Sequence, residues 1–329
     1  MTDVPLVGVP EAVPARAAEG APAIPLAPAS KARRVRRLTG RDRVVLTLMV
    51  LIPTLVEVAL VWAPTLMSIG LSFSKWDGLA VSHIHGNGTQ NYQFVVNDLP
   101  SFWPAVRHNL LWLAFLALVG TPIGLVLAVL LDQQIRGSRI YQSVFFLPVM
   151  LSLALTGIIW QLMYNLNVGF INNLLGTANT PHAVDWLGNS NVNIWAALVA
   201  TTWKHSGYIM ILYLAGLKGI DPSLKEAAAI DGANERQIFF RVVFPSMRPI
   251  NIVVVVITII ESLRAFDIVW VFNHGTNGLE LISVLIIQYL IGESQVIGVG
   301  SALAVILLVV ALVPIVTYLS RAFSKDARS

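Results

Sequence analysis

Cysteine is absent from this chain, so disulfides, thiolate metal sites and cysteine nucleophiles are excluded from the start. No G-x-x-x-x-G-K-[ST] string occurs, and nucleotide hydrolysis through a P-loop is excluded with it. His83, His85, His108, His182, His205 and His274 are scattered, with no acidic partner at ligand spacing beyond the loose His83/His85 pair, which argues against a metal site. Charge is scarce too. Only 12% of residues are charged against 56% hydrophobic, with a mean hydropathy of +0.71. A soluble chain of 329 residues could not cover its surface with so few polar groups. The apolar excess must face lipid.

Crossing the hydrocarbon core takes roughly 20 apolar residues, and the segments 44–67, 109–131, 144–164, 193–217, 250–272 and 297–319 qualify. Each is expected to be helical, because in lipid every backbone polar group must be satisfied within its own segment. The expectation is an all-α membrane protein with six transmembrane helices.

Lysine and arginine are missing from 165–192 and 273–296. They gather elsewhere: Lys31, Arg33, Arg34, Arg36, Arg37, Arg41 and Arg43 before the first span, Arg136 and Arg139 between the second and third, Lys218, Lys225, Arg236, Arg241 and Arg248 in the 218–249 loop, and Arg321, Lys325 and Arg328 after the last. The positive-inside bias then predicts that both termini and the 218–249 loop are cytoplasmic. The 31–43 cluster reads as a juxtamembrane anchor on anionic lipid. Nothing aromatic or glycine-rich interleaves it as nucleic-acid binding would require. Residues 1–30, rich in Ala, Pro, Val and Gly without helical periodicity, are expected to be a disordered cytoplasmic tail and not a secretory signal. A second short tail is expected over 324–329.

The 218–249 loop has a pattern of its own. Asp221 is placed to cap a helix that begins with Pro222, and 224–231 reads as a short helix whose Ala227, Ala228 and Ala229 leave room for another surface to approach. Gly232 stops it. Asn234 with Gln237 matches a capping box, so a second helix is expected to run through Ile238, Phe239, Val242 and Val243 to Pro245.

The string EAAAIDGANERQIFFRVVFPSMRP over 226–249 resembles the EAA loop of binding-protein-dependent ABC importers, in its carbohydrate (maltose- and glycerol-phosphate-type) subgroup. Glu226, Ala227, Ala228, Asp231, Gly232, Ala233, Phe239 or Phe240, Pro245 and Pro249 fall where that subgroup places them, with Phe244 where Leu is usual. The resemblance runs from about Val44 to Phe323 and includes SFSKWDG at 72–78, FFLPVMLSLALTGIIWQLMYNLNVGFINNLL at 145–175 and WKHSGYIMILYLAGLKGIDPSLKEAA at 203–228. Two departures stand out: NHGTNG at 273–278 replaces a Thr-Gly-Gly-Gly-Pro-like turn, and Glu57 sits inside the first span.

The resemblance implies the type I importer permease fold in a prokaryotic plasma membrane, spanning 44–323, with no ATP site or cofactor of its own. Its implied partners are a second related permease, a pair of cytoplasmic ATPase subunits and an extracytoplasmic sugar-binding protein. Glu226 would then anchor the loop in the ATPase, Ala227 and Ala228 form the close contact and Gly232 make the turn, with Asp231, Ala233 and Pro245 belonging to the same coupling loop. The other reading of Glu226 is a solvated carboxylate favoured by the helix dipole.

Charged groups at the bilayer midplane are costly by about 2.5–3.5 kcal/mol and normally face a bundle interior or wet cavity. Lys204, His205 and Tyr208 in the fourth span, with Thr258, Glu261 and Ser262 in the fifth, are therefore candidates for a sugar path. An aromatic face stacks on a sugar while hydroxyls and carboxylates exchange hydrogen bonds with it. A structural Lys204–Glu261 ion pair is the alternative. Arg264 and Asp267 are expected to snorkel or pair. Glycerol 3-phosphate or another non-sugar solute, and an ion-coupled transporter using Glu57, Glu261 and Asp267, are the rival functions; a polytopic enzyme lacks any nucleophile–base set.

Overall fold

The computed structural model describes residues 39–76, 78–133, 136–292 and 296–326. The expected 1–30 tail, most of the 31–43 cluster and residues 327–329 lie outside them. The described chain falls into two units, 1–57 and 58–329. Of the first, the described part is essentially helix α1 (Gly40–Glu57), whose side chains are all exposed, Glu57 included.

The second unit opens with a π-helical turn (Val58–Trp62) and α2 (Ala63–Ser72). Strands β1 (Ser74–Lys75) and β2 (His85–Gly86) pair antiparallel, Ser74 opposite Gly86 and Lys75 opposite His85. This small ladder is a departure from the all-α expectation. Short α3 (Gln90–Gln93) precedes α4 (Phe102–Phe115), which passes through a π turn (Leu116–Gly120) into α5 (Thr121–Asp132). Then come α6 (Ser138–Met150), α7 (Leu153–Met163), α8 (Phe170–Leu174) and the long, largely buried α9 (Asn193–Lys218). The polar loop holds α10 (Pro222–Ile230), α11 (Glu235–Ile238), a π turn (Phe239–Val243) and α12 (Phe244–Ser246). The chain ends with α13 (Arg248–Leu263), α14 (Asp267–Asn273), α15 (Ile282–Leu290) and α16 (Ile297–Asp326).

Two expected spans are broken. The segment 144–164 is a pair, α6 and α7, bent by 101°, because Pro148 weakens the helix before it and Ser152 caps a new one by accepting from the Leu155 N–H at 3.1 Å. The segment 250–272 divides at 264–266 into α13 and α14, and α13 has only 16 residues. By length and composition three described helices, Gly40–Ser72, Phe102–Asp132 and Ile297–Tyr318, are apolar enough to cross a membrane, or four with the bent α6–α7 pair. α9 has 26 residues and matches the expected fourth span, but its polar side chains keep it out of that set. α15 lies in a stretch expected to be loop.

Backbone freed at the breaks is satisfied from neighbouring helices, as the interior of a membrane bundle demands. Lys204 Nζ of α9 donates to the Leu151 carbonyl, and Ser283 Oγ of α15 donates to the Ala265 carbonyl. The second halves of both broken segments pack together, Gly157 of α7 against Val271 of α14, with Gln161 Nε2 donating to the Val271 carbonyl at 3.2 Å. Close approach also joins α9 to its partners: a Cβ on Gly207 would lie 2.2 Å from the Phe145 carbonyl oxygen of α6, and one on Gly124 of α5 2.7 Å from Ile209 Cβ.

Candidate functional site

Four expected path residues share one cavity. Lys204, His205 and Tyr208 project from α9 and Glu261 from α13 into a space of about 170 Å³ that Val149, Leu153 and Thr201 complete. The helix spacing accounts for this: residues 201, 204, 205 and 208 lie three and four apart and so share a face. The cavity abuts the α6–α7 elbow, where Lys204 holds Leu151. Glu261 Oε1 stands 4.0 Å from Arg264 Nη2, and among the described residues no ion pair within 4.0 Å joins Lys204 to Glu261. A smaller pocket continues past Glu261 to Arg264, Asp267 and Trp112 at the α13–α14 break.

Thr258 and Ser262 sit elsewhere. Ser262 is fully buried and donates to the Thr258 carbonyl of its own helix at 2.6 Å, so it does not reach this cavity. Thr258 lines a neighbouring cavity of about 400 Å³ with Arg248, Asn251 and Tyr318, and donates to the Val254 carbonyl at 2.8 Å. One residue links the two spaces and had no conspicuous sequence signal: Thr121, whose Oγ1 lies 3.3 Å from His205 Nε2 and 3.2 Å from Thr258 Oγ1. The Leu151 break could have been read from Pro148 followed by Ser152. No glycine or proline marks the break at 264–266.

The 218–249 loop forms the helix–turn–helix expected of it. Asp221 Oδ1 accepts from the Ser223 N–H at 2.9 Å, and these hydrogen bonds from Ser223 hold its carboxyl below the ordinary carboxylate range. At the other end of α10 the Ala233 N–H bonds the Ala228 carbonyl and the Gly232 N–H bonds the Ala229 carbonyl, a Schellman closure with Gly232 left-handed at φ 81°. Asn234 and Gln237 exchange both capping-box bonds at 2.9 Å. The second helix is less regular than expected, since it widens into the π turn at Phe239 before reaching Pro245. Glu226, Ala227, Asp231, Gly232 and Pro245 are exposed, while Ala228 and Ala233 are half-buried. Ile230 and Phe240 are 86% and 66% exposed. Lys225 Nζ meets Asp132 Oδ2 at 3.5 Å.

Among known sequences, a family model described as binding-protein-dependent transport system inner membrane component matches residues 120–329. The osmoprotective compounds uptake permease protein GgtC of Synechocystis sp. is 34% identical over 78% of this chain and 91% of its own. The xylose/arabinose import permease protein XacH of Haloferax volcanii is 30% identical over 82% of this chain and 84% of its own. Among solved structures, a chain of a bacterial ABC transporter involved in the import of the acidic polysaccharide alginate superposes with a TM-score of 0.73 at 21% identity, covering 86% of this chain and 96% of that one. At that identity the likeness establishes the fold.

Proposed function

This chain belongs to the family of binding-protein-dependent transport system inner membrane components, and on that premise we propose that it is the permease subunit of an ATP-driven carbohydrate importer. It is a multi-pass membrane component of transport and not an enzyme. The sugar named for the Haloferax volcanii relative supports the carbohydrate reading.

The observation that carries the coupling role is the exposed apolar pair Ile230 and Phe240 on a rigidly capped helix–turn–helix. That loop carries nine charged residues, Lys218, Asp221, Lys225, Glu226, Asp231, Glu235, Arg236, Arg241 and Arg248, so lipid does not account for its bare hydrophobic side chains; a partner surface does. The partner is the cytoplasmic ATPase. Glu226 anchors the contact, Ala227 and Ala228 admit it closely, and Asp231, Gly232 and Ala233 set the angle between α10 and the helix that ends at Pro245.

The solute passes the cavity of Lys204, His205, Tyr208 and Glu261, where a ring face, an imidazole and a carboxylate suit a polyol. Its 170 Å³ is below the roughly 300–1,000 Å³ of a complete small-molecule site. A second permease completes the path, and an extracytoplasmic binding protein delivers the sugar. Thr258 stands behind the wall, linked to His205 through Thr121, and Ser262 serves its own helix.

The test is purification of the tagged chain from its native membrane. An ATPase subunit should come with it, and its ATP turnover should rise on addition of the binding protein loaded with one of a panel of pentoses, hexoses and disaccharides. Absence of any ATPase, or turnover indifferent to every sugar, refutes the reading.

A further inference from the structure

Helix α5 has a polar contact at each end. At its start, Thr121 Oγ1 reaches His205 Nε2 and Thr258 Oγ1 at 3.3 and 3.2 Å, and His205 lines the candidate sugar cavity. At its last residue, Asp132 Oδ2 meets Lys225 Nζ of α10 at 3.5 Å. The two ends are roughly 17 Å apart at 1.5 Å per residue.

Between them α5 is fixed to α9. Gly120, Gly124, Ala128 and Leu131 are all buried and recur at four-, four- and three-residue intervals, the stripe one helix turns toward another. A Cβ on Gly124 would lie 2.8 Å from the Ser206 carbonyl oxygen, and one on Gly120 3.1 Å from His205 Cδ2. Ala128 and Leu131 share a core cluster with Ile209, Tyr213 and Leu217 of α9. Helices packed so closely shift as a block, because a close-packed interface has no slack to absorb a displacement.

α10 has no such packing: none of its residues is buried. It faces α5 across a cleft of about 570 Å³ that Val129, Asp132, Lys225, Glu235, Arg236 and Phe239 help to line. Among the described residues, the Lys225–Asp132 pair is the ion pair that spans it.

We infer that Asp132 and Lys225 are positioning residues that tie α10 to the α5–α9 block, so that a displacement of α10 by the ATPase reaches Thr121 and the His205 wall of the cavity. The inference rests on the proposed ATPase contact. The pair is half-exposed, and its effect is bounded accordingly: loss of one partner should weaken the coupling by up to about fivefold.

The experiment uses the assembled transporter in nanodiscs, made from this Cys-free chain with a single Thr201→Cys in the cavity wall. The rate of labelling by a small methanethiosulfonate is compared without nucleotide and after vanadate trapping with ATP. In the parent the two rates should differ several-fold. Asp132→Asn and Lys225→Gln should shrink that ratio by about two- to fivefold while the ATPase co-purifies in unchanged amount. The exchanged pair, Asp132→Lys with Lys225→Asp, should restore at least half of it. Single variants with the parent's ratio, or an exchange no better than the singles, overturn the inference and leave the ATPase contact intact. A parent that co-purifies no ATPase overturns the contact first, and the inference falls with it.

Discussion

Gly232→Val isolates the geometry of the turn from everything else at that position. Gly232 has φ 81°, and a Cβ added there would meet no atom within 4 Å. Crowding at the Cβ therefore contributes nothing, and the effect expected is that of backbone strain. Left-handed backbone costs an L-residue about 1–2 kcal/mol, with β-branched side chains at the upper end. That corresponds to a loss of the native α10–α11 angle by about 5- to 30-fold relative to competing conformations. The spans are untouched, so the variant should insert and accumulate normally. Its affinity for the ATPase should fall by the same factor, read by titrating labelled ATPase onto the detergent-purified permease. Gly232→Asn supplies the control, because asparagine tolerates left-handed backbone and should lose several-fold less affinity. Parent-like binding by Gly232→Val, or equal damage from asparagine, would refute the reasoning.

Four further outcomes are expected. Lys204→Met strips the Leu151 carbonyl of its donor at the α6–α7 elbow and should cost about 1–3 kcal/mol. Lys204→Arg should recover part of this, both read as thermal unfolding in detergent. Gly207→Ala places a Cβ 2.2 Å from the Phe145 carbonyl, and because backbone cannot yield as a side chain can, it should cost about 1–3 kcal/mol and lower the folded yield. Tyr208→Ala should change transport rate or sugar preference at unchanged assembly, whereas Ser262→Ala should leave both near the parent, since its hydroxyl serves its own helix; the reverse ranking would remove this cavity from the path. The Asp221 carboxyl is lowered by its bonds from Ser223, so the cap contributes fully above the ordinary aspartate pKa and is lost as pH falls through the lowered folded value. The amide protection factor of Ser223 should follow that curve, and Asp221→Ala should abolish its pH dependence.

Local rules carried the 218–249 loop almost unaided. Asp221, Pro222, Gly232, Asn234 and Gln237 each act on their own or adjacent backbone, so cap, stop and capping box were legible before any tertiary contact was known. The apolar excess and the Lys/Arg asymmetry likewise follow from composition, because lipid solvates every such chain by the same rule. What the chain alone could not reveal depends on residues far apart in sequence. The break at 264–266 holds because Ser283 answers the Ala265 carbonyl, and the elbow at Leu151 because Lys204 does. Helical periodicity put Thr258, Glu261 and Ser262 on one stretch of one helix, but a stripe does not say which neighbour it meets. Packing decided that Glu261 joins Lys204, His205 and Tyr208, that Ser262 turns inward, and that Thr121 stands between His205 and Thr258. Those assignments come from interhelical contact, which is set by the shape of both partners and is written in neither one alone.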